Sequence, residues 1–192
     1  MCVLADDLKS ARFWARELLE SAVYPGACAV DATMGNGHDT LWLCERTGKA
    51  GRVYAFDVQN EALERTRALL AAQGLEGCAE LILSGHEEME YYVREPVDAV
   101  VFNLGWLPGG ERSVTTRVET TLVAVEAGTR LLKPEGLMTV CVYPGHGEGA
   151  RELSALTDWA AGLDPARFDV LLKRYMNQKN DPPQLIAVQK RA

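Results

Sequence analysis

The sequence predicts an α/β fold: a mostly parallel, seven-stranded sheet with helices on both faces and an antiparallel final strand. Three observations predict it. Short apolar, β-rich runs alternate regularly with segments of helical spacing. The strand-like runs are continuously apolar, as strands buried on both faces must be. The last two such runs, Phe168 to Tyr175 and Leu185 to Gln189, have only a polar loop with Pro182-Pro183 between them, so they pair antiparallel at one edge.

The elements follow in order. Asp7 to Ser21 places Leu8, Ala11, Trp14, Ala15, Leu18 and Leu19 on one helical face, so residues 1–22 are expected to pack as an N-terminal helix on the core of a single 1–192 domain. Ala27 to Asp31 is a first strand. His38 to Arg46 is a helix stopped by Gly48 and Gly51. Arg52 to Asp57 is a second strand, and Asn60 is expected to cap a helix through Ala72 that Gly74 ends. Ala79 to Leu83 and Val97 to Phe102 are the third and fourth strands. A glycine-rich loop leads into a helix from about Thr115 to Leu132. Pro134-Glu135-Gly136 turns the chain into a fifth strand, Leu137 to Tyr143, and Glu148 to Ala161 is a further helix.

The bulk numbers bound the function. The 192 residues suit one domain, with 47% hydrophobic and 24% charged. No apolar run approaches the roughly 20 residues needed to span a bilayer. The N-terminus carries Asp6, Asp7, Lys9 and Arg12 in place of an apolar signal core, so a cytoplasmic location is expected. Cys2, Cys28, Cys44, Cys78 and Cys141 show no Cys-x-x-Cys spacing and read as free, largely buried thiols, with no metal site expected. Twenty basic against 27 acidic residues leave a net charge of −7, a poor global match to a polyanion. Local groups such as Lys173, Arg174, Lys179, Lys190 and Arg191, or Arg112 and Arg117, are still able to meet phosphates.

Val30-Asp31-Ala32-Thr33-Met34-Gly35-Asn36-Gly37-His38-Asp39-Thr40 has the form of strand, tight turn and helix N-terminus. Its glycines allow the backbone close to a ligand. A dinucleotide loop requires Gly-x-Gly-x-x-Gly or Ala to cradle a pyrophosphate. Here the third position is Thr40, and Asp39 sets a carboxylate where an anion would be repelled. S-adenosylmethionine carries no phosphate, and its loop, Asp/Glu-x-Gly-x-Gly-x-Gly, is matched by Asp31, Thr33, Gly35 and Gly37 with Thr for the first glycine. Asp31 is then expected near the methionine amine, Asp57 on the ribose hydroxyls and His86 near adenine. Five βα units with a terminal hairpin is the layout of the class I methyltransferase sheet.

After the fourth strand, Asn103-Leu104-Gly105-Trp106 has the polar-x-x-aromatic form of the Asn/Asp-Pro-Pro-aromatic loop of amine methyltransferases, without its prolines. An attacking amine must be neutral with its lone pair aimed at the methyl group. The Asn103 side-chain oxygen and the Leu104 carbonyl can accept its two N–H bonds. Trp106 is suited to stacking on a planar base. His146, in Tyr143-Pro144-Gly145-His146, is expected close to the reacting centre.

Four segments together resemble the tRNA 5-aminomethyl-2-thiouridine methyltransferases, long labelled rRNA methylases: Asp31 to Thr40, Val53 to Asp57, Phe102 to Gly110 and Asn177-Gln-Lys-Asn-Asp-Pro-Pro183. Trp106 stands where that family is expected to carry Tyr, and Tyr143-Pro-Gly-His146 replaces a Tyr-His-Gly-His form. The resemblance implies methyl transfer from S-adenosylmethionine to the exocyclic amine of the modified uridine at the tRNA wobble position, in the anticodon stem-loop. It implies catalytic roles for Asn103 and Leu104. The implied cofactor set is Asp31, Met34, Gly35, Asn36, Gly37, Asp39, Thr40, Asp57, Gln59, His86 and Asn103. The implied substrate set is Trp106, Arg112, Thr115, Tyr143, His146, Asn177 and Gln178. A homodimer would give so small and acidic a chain more surface for a stem-loop. Competing readings are methylation of rRNA or a small-molecule amine, a non-catalytic partner that binds S-adenosylmethionine, and, more distantly, an NAD oxidoreductase.

Overall fold

A computed structural model describes residues 10–192. Its seven-stranded sheet has the order β3-β2-β1-β4-β5-β7-β6, from β1 (Cys28–Asp31), β2 (Arg52–Asp57), β3 (Ala79–Leu83), β4 (Val97–Asn103), β5 (Leu132–Val142), β6 (Phe168–Lys173) and β7 (Gln184–Lys190). Strands β1 to β5 are mutually parallel, and β7 runs antiparallel to both β5 and β6. The helices are α1 (Ala11–Leu19), α2 (His38–Thr47), α3 (Asn60–Ala72), the short α4 (Met89–Tyr92), α5 (Val118–Leu131) and α6 (Gly147–Ala161).

Strand residues alternate between two cores because successive side chains leave a strand on opposite faces. Ala29, Val53, Ala99 and Val101 meet Leu19, Leu43, Cys44 and Leu70 of α1, α2 and α3. Val30, Tyr54, Phe56, Val100, Phe102 and Met138 meet Met89, Ala124, Val125, Leu156 and Ala160 of α4, α5 and α6. Neither face of these strands is left to water, which is why the runs read as continuously apolar. Cys28, Cys44, Cys78 and Cys141 are free and buried. Burial pushes the thiols of Cys28, Cys44 and Cys141 up to about 12. Cys2, Asp6, Asp7, Leu8 and Lys9 lie outside the described residues.

Several expectations are corrected. Asn60 does not cap α3: Gln59 precedes the helix with no side-chain cap, and Asn60 Nδ2 instead donates to Glu64. The turn at Pro134 to Gly136 lies inside β5, with Glu135 at φ 66, and the β4–β5 register shifts beside it. The short α4 follows β3 without a sequence pattern long enough to announce it. The C-terminal basic group does not act as one patch. Lys190 Nζ donates to the Leu132 carbonyl at 2.6 Å, Arg191 pairs with Asp169, and Lys173 Nζ sits over the Trp14 ring at 4.7 Å. Strands β3 and β6 are the two edges of the sheet, and on β6 Val170, Leu171 and Leu172 are exposed. No helix among the described residues is long and apolar enough to cross a membrane.

Candidate active site

The carboxyl ends of the five parallel strands β1 to β5 open into one cavity of about 660 Å³. In parallel sheets ligands collect there, because the loops that follow the strands can diverge. Met34, Gly35, Asn36 and Asp39 from the first loop line it. So do Asp57 and Gln59 after β2, His86 after β3, Asn103, Leu104 and Trp106 after β4, Thr115 ahead of α5, and Tyr143 and His146 after β5.

Six expected site residues do not line the cavity. Asp31 is fully buried beneath the first loop, where it accepts hydrogen bonds from Thr40 Oγ1 at 2.7 Å and the Thr33 amide at 3.2 Å. Asp31 and Thr40 therefore clamp β1 to α2 beneath the cavity, which corrects the expected approach of Asp31 to a ligand amine. Gly37 faces α3, where a Cβ would meet Thr66 Oγ1 at 2.7 Å. Arg112 is exposed and lies over the Trp106 ring at 5.4 Å, outside the lining. Asn177 and Gln178 sit in the β6–β7 connector, whose Asn180 and Asp181 backbone approaches Gly145.

Burial, followed by the nearby Asp39 charge, pushes the Asp31 carboxyl up to about 7 from 3.8, against the lowering effect of its two hydrogen bonds. The folded chain thus holds a proton that the unfolded chain has released between those values. Stability should fall as pH rises from about 4 to about 7, with the loss complete above that window. Asp31→Asn, which cannot ionise, should flatten this slope in denaturant titrations across the window. A slope identical to the parent's would show that Asp31 is ionised in the fold.

Asp39 has surroundings that the sequence did not show. Arg12 and Arg16 of α1 both grip it, Arg12 Nε at 3.1 Å and Arg16 Nη2 at 2.6 Å. The repulsion of an anion expected at this helix start is therefore offset by two guanidinium groups, and Asp39 does not by itself exclude a pyrophosphate.

The remaining Asp39 contact orients Asn103. Asn103 Nδ2 donates to Asp39 Oδ2 at 2.7 Å, and its backbone N–H donates to Thr33 Oγ1 at 2.7 Å. A carboxylate can only accept, so the amide nitrogen must face Asp39 and Oδ1 must face away. That oxygen is buried without a partner. Among the described residues, five buried side-chain polar atoms lack a partner, and three of them belong to residues that line this cavity: Asn103 Oδ1, Thr115 Oγ1 and His146 Nε2. Buried polar groups are normally satisfied, so their clustering marks a place built for a polar ligand.

Asp57 accepts from the Gly35 amide at 3.0 Å on one oxygen and from the Gln59 amide at 2.9 Å on the other. Each oxygen keeps a lone pair, which suits two adjacent hydroxyl groups. Burial raises its carboxyl, while the N–H bonds and His86 pull it back. His86 is buried, with Nδ1 at 3.2 Å from the Ala32 carbonyl. A carbonyl requires a donor, so the ring proton is assigned to Nδ1. Burial lowers its basicity and favours the neutral ring.

The loop between β4 and α5 is clasped to the fold. Trp106 bridges Thr115, Thr116 N donates to the Gly105 carbonyl, and Gly105 N donates to Thr116 Oγ1 at 2.8 Å. Thr116 and Thr121 hydroxyls both donate to Glu152, which is buried on α6. Sequence reasoning missed Glu152, the grip of Arg12 on Asp39 and the hydrogen bond of Thr33 to Asn103. Glu152 had a signal: it stands four residues before Leu156 and eight before Ala160, on the apolar face of α6. Arg12 and Thr33 had none, since their partners lie 27 and 70 residues away.

This sheet order, with an antiparallel β7 and a cavity at the strand ends, defines a class I methyltransferase. The chain belongs to the family described as "Putative rRNA methylase", whose model matches residues 53–189. It is 37% identical, over 95% of its length and 70% of the relative's, to the chloroplastic tRNA (mnm(5)s(2)U34)-methyltransferase of Arabidopsis thaliana. A solved rRNA methylase of the same description from Clostridium thermocellum superposes with a TM-score of 0.93 at 37% identity, covering 95% of this chain and 98% of that one. A methyltransferase from Streptococcus mutans, solved in complex with SAH, does so with a TM-score of 0.87, the same identity and the same coverage.

Proposed function

We propose that the chain is an S-adenosylmethionine-dependent N-methyltransferase that converts 5-aminomethyl-2-thiouridine to 5-methylaminomethyl-2-thiouridine at the wobble position of tRNA. The observation that carries this is Asn103 Oδ1, a buried acceptor with no partner whose direction is set by Asp39. It suits an N–H donor. The similarity to the plant tRNA methyltransferase and to the Streptococcus mutans protein solved with SAH supports the choice of tRNA and of the methyl donor.

The donor set fits S-adenosylmethionine. Asp57 offers two acceptors for the ribose hydroxyls, and the first loop and Asp39 lie where the amino-acid end would be held. When bound, that molecule supplies an electrophilic methyl group on a positively charged sulfur. The chain's own part is orientation. Asn103 Oδ1 and the Leu104 carbonyl accept the two N–H bonds of a neutral amine and direct its lone pair. Buried Leu104 and Leu107, beside half-buried Trp106, favour the uncharged amine. A neutral primary amine that gained a methyl group would become a secondary ammonium, so the chain has no base to supply at the moment of transfer. Tyr143 suits that account: burial pushes its phenol up to about 12, so it remains neutral.

Arg12 and Arg117 line the cavity and offer local positive charge to an RNA backbone despite the net charge of −7. The exposed β6 edge supports a homodimer, which light scattering of the full chain checks. The primary test is methylation in vitro of tRNA carrying 5-aminomethyl-2-thiouridine, with mass analysis of the nucleosides. A 14-dalton gain on that nucleoside is expected. No gain from folded protein that binds S-adenosylmethionine would sink the substrate assignment and turn the search to rRNA or small amines.

A further inference from the structure

We propose that His146 is a hydrogen-bond donor that reads the carbonyl edge of the target base, and not the group that takes up a proton. The inference rests on the methyl-acceptor reading above and deepens it. His146 is the N-cap of α6, and its Nδ1 accepts from the Gly149 amide at 3.2 Å. A ring that accepts at Nδ1 carries its proton on Nε2 when neutral. The capping bond thus makes Nε2 a donor. The neutral ring has no second lone pair with which to act as a base at that atom.

That Nε2 is buried and finds no partner among the described residues. The His146 ring borders the cavity and lies against Trp106, with centroids 4.8 Å apart and planes tilted by 58°. Trp106 is in turn bridged to Thr115, and it follows Asn103 by three residues. A planar base against Trp106, with its aminomethyl arm at Asn103, would bring a ring acceptor within reach of a donor beside the same indole. In a 5-aminomethyluracil the carbonyl at ring position 4 adjoins the carbon bearing that arm. Its oxygen is an acceptor and matches a histidine held as Nε2–H. A donor there favours bases with an acceptor beside the arm and fixes base rotation, so it positions the amine as well as selecting the base.

Two substitutions separate the ring's halves. His146→Asn can keep the capping acceptor but removes the Nε2 donor. His146→Gln can place an amide N–H near Nε2 but weakens the cap. Both are assayed as the full chain on tRNA carrying 5-aminomethyl-2-thiouridine, with melting and S-adenosylmethionine affinity measured alongside. His146→Asn should melt near the parent and bind S-adenosylmethionine normally, yet lose about 30-fold in kcat/KM, by the same factor at every pH tested. His146→Gln should melt lower but stay within about fivefold of the parent kcat/KM. Parental kcat/KM in the Asn variant, equal loss in both variants, or loss of one limb of the pH profile in the Asn variant would each overturn the donor role. With an active parent, those results leave the methyltransferase reading intact. A parent inactive on this tRNA takes both proposals down.

Discussion

Asn103→Ala should lower kcat on the aminomethyl-thiouridine tRNA by about 100- to 1000-fold, while affinity for S-adenosylmethionine stays within about threefold. The expectation follows from how Asn103 is held. Its backbone bonds to Thr33, its amide nitrogen bonds to Asp39, and its oxygen alone remains for a reacting group. Removing the side chain leaves Asp39 still gripped by Arg12 and Arg16, so the loop that carries it has no reason to collapse. Asn103→Asp should be as damaging for a different reason, because it sets a second carboxylate against Asp39 in a half-buried site. Single-turnover rates and calorimetric titration of S-adenosylmethionine check both variants. Equal losses of rate and cofactor affinity would move Asn103 to the cofactor side of the cavity.

Gly37→Ala should destabilise the fold by about 3 kcal/mol, from left-handed strain together with overpacking. For a chain of this size that is roughly 6–12 °C in Tm. Gly37 has φ 78, and an added Cβ would lie 3.0 Å from the Thr66 Cα as well as 2.7 Å from its hydroxyl. The backbone of α3 cannot rotate away as a side chain would, so the strand-to-helix turn must shift. Affinity for S-adenosylmethionine should fall about tenfold or more with it, since Gly35 and Asn36 line the cavity on the same turn. Gly35→Ala is the control. Its φ is 53, but the new Cβ would meet Leu107 Cδ1 at an ordinary 3.7 Å, so only strain of about 1 kcal/mol remains. Equal destabilisation of the two variants in urea would show that helix packing is not what requires Gly37.

That comparison also shows what a sequence motif conceals. The spacing of Gly35 and Gly37 announced a turn beside a ligand, and Gly35 does line the cavity. Gly37 is required by a neighbouring helix that begins 23 residues later in the chain. Asp31 shows the same limit. An acid at a strand end reads as a ligand contact, but the structure buries it under the loop with Thr40 as its partner. Asp57 has the same local pattern and does reach the cavity. Nothing within a few residues of either acid distinguishes them. Which face of the turn each carboxylate takes is settled by the packing of α2 and α3.

The sequence by itself determined the order of strands and helices, the faces they bury and the strand ends that gather into one cavity. Those properties are written in spacings of two and of three to four residues and in the backbone demands of glycine, which act locally. Only the tertiary structure decided how Asp39 is neutralised, which way the Asn103 amide points, and how Glu152 secures the loop that carries Trp106. Each of these rests on hydrogen bonds between residues 23 to 64 positions apart, Arg16 to Asp39 and Asn103 to Asp39 among them. Such pairings leave no period in the chain, because they are set by which loops the closed sheet brings together.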